Sequence, residues 1–194
     1  MYAYLSGNFN YKSPAVVHMD VGGIGFEVNI SLNTYAFIEP LEQGRLYTYL
    51  QVKEDAHTLY GFFEKSEKDM FVLLISVSGV GASTARMMLS SLRPEEVASA
   101  INTGNVKLLE SVKGIGRKTA ERLVLELKDK TEKSVTGSFI GGKGVNTLEQ
   151  DALNALTALG ITRQQAEASV KKITFAEPGI TKLEDLIKKA LKAI

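Results

Sequence analysis

Leu74-Ile75-Ser76-Val77-Ser78-Gly79-Val80-Gly81-Ala82-Ser83-Thr84-Ala85 and Leu109-Glu110-Ser111-Val112-Lys113-Gly114-Ile115-Gly116-Arg117-Lys118-Thr119-Ala120 are two copies of one unit at a constant offset of 35 residues. Leucine, serine, valine, both glycines, threonine and alanine agree between them. Each copy reads as a helix end, a Gly-apolar-Gly turn and a new helix start, so residues 64–133 are expected to form a duplicated helix–turn–helix domain.

Toward the N-terminus the pattern changes to strands. Ala15–Val21, Phe26–Ile30, Leu46–Val52 and Thr58–Phe62 are short, rich in β-branched and aromatic residues, and bounded by turn residues. Gly22-Gly23-Ile24-Gly25 reads as a hairpin turn with positive φ, and no helix pattern follows it as a dinucleotide fingerprint requires. Some five short strands within residues 1–63 predict a small closed barrel of the OB type. Toward the C-terminus, residues 134–146 hold four glycines and no periodicity, the composition of a flexible linker. Capping boxes follow at Thr147 with Gln150, Thr162 with Gln165 and Thr181 with Glu184. The helices they open carry Leu153, Leu156 and Leu159, then Ala166 and Val170, then Leu183, Leu186, Ile187 and Leu191. Residues 147–194 are therefore expected to be a three-helix, UBA-like domain, and the whole a multidomain α+β chain.

Composition narrows the chemistry. With 194 residues the chain can bury a core without staples, and the absence of cysteine removes disulfides, thiolate metal sites and cysteine nucleophiles. The longest apolar runs fall short of a membrane span, and no basic region precedes an apolar core at the N-terminus, so a soluble cytosolic protein is expected. A net charge of +1 argues at first against a nucleic-acid partner. By region, however, the balance is −3 over residues 1–63, +2 over 64–133 and +2 over 134–194. The acidity is concentrated in the barrel.

A glycine pair around one apolar residue at a helix start lets backbone N–H groups approach a phosphate at the positive end of the helix dipole. Around Gly114, Ile115 and Gly116 this is reinforced by Arg117, Lys118 and Arg122. Around Gly79, Val80 and Gly81 the helix starts with Ala82-Ser83-Thr84, and the nearest cation is Arg86, so the grip there would rest on backbone amides. The plain alternative is a helical hairpin whose glycines serve close packing. The duplicated unit resembles the helix-hairpin-helix motif, and the resemblance implies a grip on the DNA backbone without reading of bases, so the substrate should be defined by shape.

Lys53-Glu54-Asp55-Ala56-His57 joins two strands and places Glu54 and Asp55 at a hairpin tip. Three readings are open: a solvated turn, a nuclease metal site with His57 as third ligand, or carboxylates that repel phosphates and so penalise the wrong DNA shape.

With Val52-Lys53-Glu54-Asp55, Leu59-Tyr60-Gly61-Phe62, Ser78-Gly79-Val80-Gly81 and Lys113 to Leu123 in this order, the chain resembles the RuvA family of bacterial Holliday-junction-binding proteins. The resemblance implies a homotetramer holding a four-way junction open, with one or two tetramers per junction. It places the family's acidic pin on Glu54 and Asp55, and phosphate contacts on the two hairpins. It also implies a C-terminal domain that binds the hexameric RuvB-type ATPase, a junction resolvase in the larger complex, and a role in recombination, repair and the SOS response in the bacterial cytoplasm. No catalytic residue, metal or cofactor is expected in the chain itself. The nearest approach to a phosphate loop, Gly114 to Thr119, lacks the required gap, so ATP and magnesium would belong to the partner.

Overall fold

The computed structural model describes residues 2–135, 148–177 and 180–193. Residues 2–135 fall in one compact unit and 148–193 in a second.

The first unit begins with a closed barrel of β1 (Tyr4–Lys12), β2 (Val16–Val21), β3 (Ile24–Ile30), β4 (Gln43–Val52) and β5 (His57–Phe62), in the order β1-β2-β3-β5-β4. All pairings are antiparallel except β3 with β5. Alternation builds the core: Val17 and Met19 point inward while His18 points out, and Leu46 is buried beside outward Arg45. Gly22 and Gly23, with φ of 64° and 87°, form the β2–β3 turn, and the Asp20 carboxylate accepts the Gly23 N–H at 2.9 Å. Ile24 already belongs to β3. The sequence reading overlooked β1 and α1 (Leu32–Ile38). Ser31 caps α1 by accepting the Thr34 N–H at 3.0 Å, and at its other end Lys12 Nζ donates to the carbonyls of Glu39 and Leu41 at 2.6 and 2.7 Å.

Five helices complete this unit: α2 (Lys65–Ile75), α3 (Ala82–Ser91), α4 (Pro94–Asn102), α5 (Val106–Glu110) and α6 (Arg117–Val135). On α6 the buried residues Ala120, Leu123, Leu127 and Thr131 recur at helical spacing. The helical core takes in Tyr60 and Phe62 of β5, whose rings pack on Phe71 of α2 with centroids 5.1 and 4.9 Å apart. This shared core is why barrel and helices form one unit. Helix α6 continues through Ser134 and Val135, two residues into the stretch expected to be linker; residues 136–146 lie outside the described residues.

The second unit comprises α7 (Leu148–Ala158), α8 (Arg163–Ala176) and α9 (Leu183–Lys192) around Ala152, Leu156, Ala166, Val170, Leu186 and Ala190. After α7, the N–H groups of Gly160 and Ile161 return to the carbonyls of Thr157 and Leu156 at 3.0 and 3.1 Å, closing the helix. Thr162 caps α8, where its hydroxyl accepts the Gln165 N–H at 3.4 Å. Two expectations fail here. Helix α9 is preceded by Lys182, with no side-chain cap, so Thr181 lies one residue too early. Leu159, just beyond the end of α7, is 64% exposed, and Leu191, next to buried Ala190 on α9, is 41% exposed, so neither lines the core. Thr147 lies outside the described residues. No described helix is long and apolar enough to cross a membrane.

Candidate nucleic-acid interface

The sequence repeat is also a repeat of geometry. In the first hairpin Val77 N–H donates to Leu74 O at 3.2 Å, Val80 N–H to Val77 O at 3.0 Å, and Ala85 N–H to Gly81 O at 2.9 Å. The counterparts 35 residues on, Val112 to Leu109, Ile115 to Val112 and Ala120 to Gly116, measure 3.3, 3.1 and 3.0 Å. Gly79 and Gly114 have φ of 94° and 93°, which a side-chain-bearing residue adopts only with strain. Val80 and Ile115 are buried and pin each turn to the core. The turns also face each other's helices: a Cβ on Gly79 would lie 3.8 Å from Thr119 Oγ1, and one on Gly114 would lie 3.8 Å from the Thr84 methyl. These reciprocal contacts relate the two copies by an approximate two-fold axis. The exposed residues Gly79, Gly81, Gly114 and Gly116 leave backbone open at both helix starts, and Gly81 supplies no side-chain cap to α3.

The side chains break this symmetry. Arg117, Lys118 and Arg122 are all exposed on the first turns of α6. Arg117 pairs with Glu121 at 2.9 Å, which raises its already high pKa, and Arg122 pairs with Glu126 at 3.3 Å. Such solvent-exposed pairs are weak and screened by salt, so they do little to hold either guanidinium in place. Arg122 Nη1 also donates to Ser78 O at 3.2 Å, so it reaches from the second copy onto the turn of the first. At the first hairpin Arg86 does not stand with the turn. Its Nη1 donates to Ala15 O and Asn29 Oδ1 at 3.0 and 2.9 Å, both on the barrel.

Glu54 and Asp55 are exposed at the tip of the β4–β5 hairpin, closed by Lys53 N–H donating to Ala56 O at 2.9 Å. His57 is the first residue of β5, opposite Val52. Among the described residues no three or more histidines and acids group closely enough to hold a metal ion, so Glu54, Asp55 and His57 do not assemble the metal site of the nuclease reading.

A buried carboxylate went unnoticed in the sequence. Glu67 of α2, 3% exposed, accepts from the Ser31 hydroxyl and, at 2.7 Å, from the Thr34 hydroxyl of α1. The two hydroxyls in turn accept the N–H groups of Thr34 and Phe63, at 3.0 Å each. Burial raises the Glu67 pKa above the ordinary carboxylate range, and the two hydroxyl donors oppose that rise. This network joins the barrel to the first hairpin's leading helix. The one local signal was Ser31 three residues before Thr34.

Comparison with known proteins matches residues 1–61 to the family model "RuvA N terminal domain", 71–129 to "SAM-like Helix-hairpin-helix tandem" and 147–194 to "RuvA, C-terminal domain". The chain is 50% identical to a protein of Christiangramia forsetii over the whole of both chains. It is 46% identical to one of Flavobacterium psychrophilum over 99% of each, and 42% identical to one of Bacteroides fragilis over the whole of both. Each of these is named Holliday junction branch migration complex subunit RuvA. With its three domains in family order and identity sustained from end to end, this chain belongs to the RuvA family.

Proposed function

We propose that this chain binds four-way (Holliday) DNA junctions and serves as the non-catalytic subunit of a branch-migration complex. The observation that carries this reading is the duplicated Gly-apolar-Gly turn, repeated in geometry as well as sequence, in a chain half identical throughout to a protein named for that role. Four copies surround the junction. The turns at Gly79-Val80-Gly81 and Gly114-Ile115-Gly116 hold arm phosphates, with Arg117, Lys118 and Arg122 adding charge, while Glu54 and Asp55 meet at the centre and repel phosphates. Residues 147–194 engage a RuvB-type ATPase, which uses the ATP and magnesium, and a junction resolvase joins the assembly in the bacterial cytoplasm. Backbone contacts carry no base information, so shape is what is recognised.

Gel-shift titration of a synthetic four-way junction against linear duplex of equal length tests this. Tighter binding of the junction is expected; equal affinities refute the reading.

A further inference from the structure

We propose that Arg86 is a positioning residue that fixes the acidic hairpin tip relative to the first Gly-Val-Gly turn, and is not a phosphate contact of that turn. The proposal rests on the function proposed above for those two elements. Arg86 lies on α3, the helix that Gly79-Val80-Gly81 opens. Both of its bonds leave the helical domain: one to Ala15 O in the β1–β2 connection, the other to Asn29 Oδ1 on β3. Asn29 passes the link on. It stands opposite Tyr60 in the parallel β3–β5 pairing, and its Nδ2 donates to Leu59 O at 3.5 Å. β5 runs directly back to the Glu54-Asp55 tip. The guanidinium is also close enough to Tyr60 to oppose the rise that burial gives its phenol.

The rest of α3 is fastened to the barrel in the same manner. Asn33 Nδ2 donates to Leu89 O and Leu92 O at 2.6 and 3.1 Å, occupying carbonyls at the helix end. Ser90 Oγ accepts the Leu32 N–H at 3.1 Å and donates to Arg86 O at 2.8 Å. In the second copy the position of Arg86 is held by Glu121, which pairs with Arg117 on its own helix. One hairpin is thus tied to the barrel that carries the tip, and the other is not tied in this way. A guanidinium with two protein acceptors holds a fixed direction, which suits a strut.

The test uses the full chain with Arg86→Leu, Arg86→Lys and, as a milder break, Asn29→Ala. With no native cysteine, spin labels on His57→Cys and Ser83→Cys, diluted with unlabelled chain, report the distance between β5 and the first hairpin without DNA. Arg86→Leu should broaden that distance distribution about twofold, with Asn29→Ala broadening it less and Arg86→Lys least. On DNA, the junction-to-duplex affinity ratio should fall about tenfold, the weight of a charge-assisted hydrogen bond, while the slope of log K against log salt stays unchanged. In a Glu54→Gln/Asp55→Asn background, Arg86→Leu should then change the ratio no further.

A slope shallower by about 0.9, with equal loss on junction and duplex, would make Arg86 a phosphate contact and overturn the proposal. So would an unchanged distance distribution, or an equal loss in both backgrounds, which marks general destabilisation. If the unmodified chain shows no junction preference, the functional reading fails by itself, and the label distances still decide whether Arg86 is a strut.

Discussion

The turns at Gly79-Val80-Gly81 and Gly114-Ile115-Gly116 match in φ and in the backbone hydrogen bonds that close them, yet their side chains do different work. Around the second, Arg117, Lys118 and Arg122 face solvent at the positive end of α6. Around the first, the corresponding positions are Ala82, Ser83 and Met87, and the one arginine of α3 bonds to the barrel. A duplicated backbone device can therefore keep its geometry in both copies while charge is concentrated in one and attachment in the other.

Removing the charge should separate the copies most sharply. Lys118→Ala with Arg122→Ala is expected to weaken junction and duplex binding alike, by about a hundredfold at moderate salt and independently of DNA sequence. A loss confined to particular sequences, seen by titrating several duplexes, would contradict a backbone grip. The acidic tip should act with the opposite sign. Glu54→Gln with Asp55→Asn is expected to strengthen duplex binding about fivefold by removing like-charge repulsion, and weaker duplex binding in the same titration would count against that role.

The smallest effect concerns the attachment of the first copy. Burial raises the Glu67 pKa, so the folded chain keeps the proton to higher pH than the unfolded chain does. Folding is then most favoured, as far as Glu67 is concerned, below the ordinary carboxylate pKa, and this contribution is lost as pH rises through the raised folded value. Glu67→Gln should lack that decline. Denaturation midpoints measured across this window should converge or cross for the two proteins; parallel curves would contradict the assignment.

What was legible in the sequence was local. Positive φ at Gly79 and Gly114 demands glycine, and the buried Val80 and Ile115 recur with it, so the repeat shows in the letters themselves. The Glu54-Asp55 tip was visible for the same reason, since the strands on either side of it are contiguous in sequence. Helix α1, the Glu67 network and the bonds of Arg86 were not. Glu67 meets Ser31 and Thr34 across 36 and 33 residues, and Arg86 meets Asn29 and Ala15 across 57 and 71, so their partners exist only once the barrel has closed. Arg86 read as the nearest cation to a phosphate turn because nothing in its neighbourhood hints at the carbonyl it reaches. At the C-terminus, Thr181 had the right spacing for a cap, but the helix starts one residue later, after Lys182, which offers no side-chain cap.

On the proposed function, the two turns are equivalent phosphate cradles distinguished by charge. Ser83→Lys tests it most directly, because residue 83 occupies the place in the first copy that Lys118 holds in the second. With junction affinity measured across salt, binding should be tighter at low salt and the log K against log salt slope steeper by about 0.9 for each further phosphate neutralised. An unchanged slope would mean that the first turn does not face the DNA backbone, and would contradict the claim.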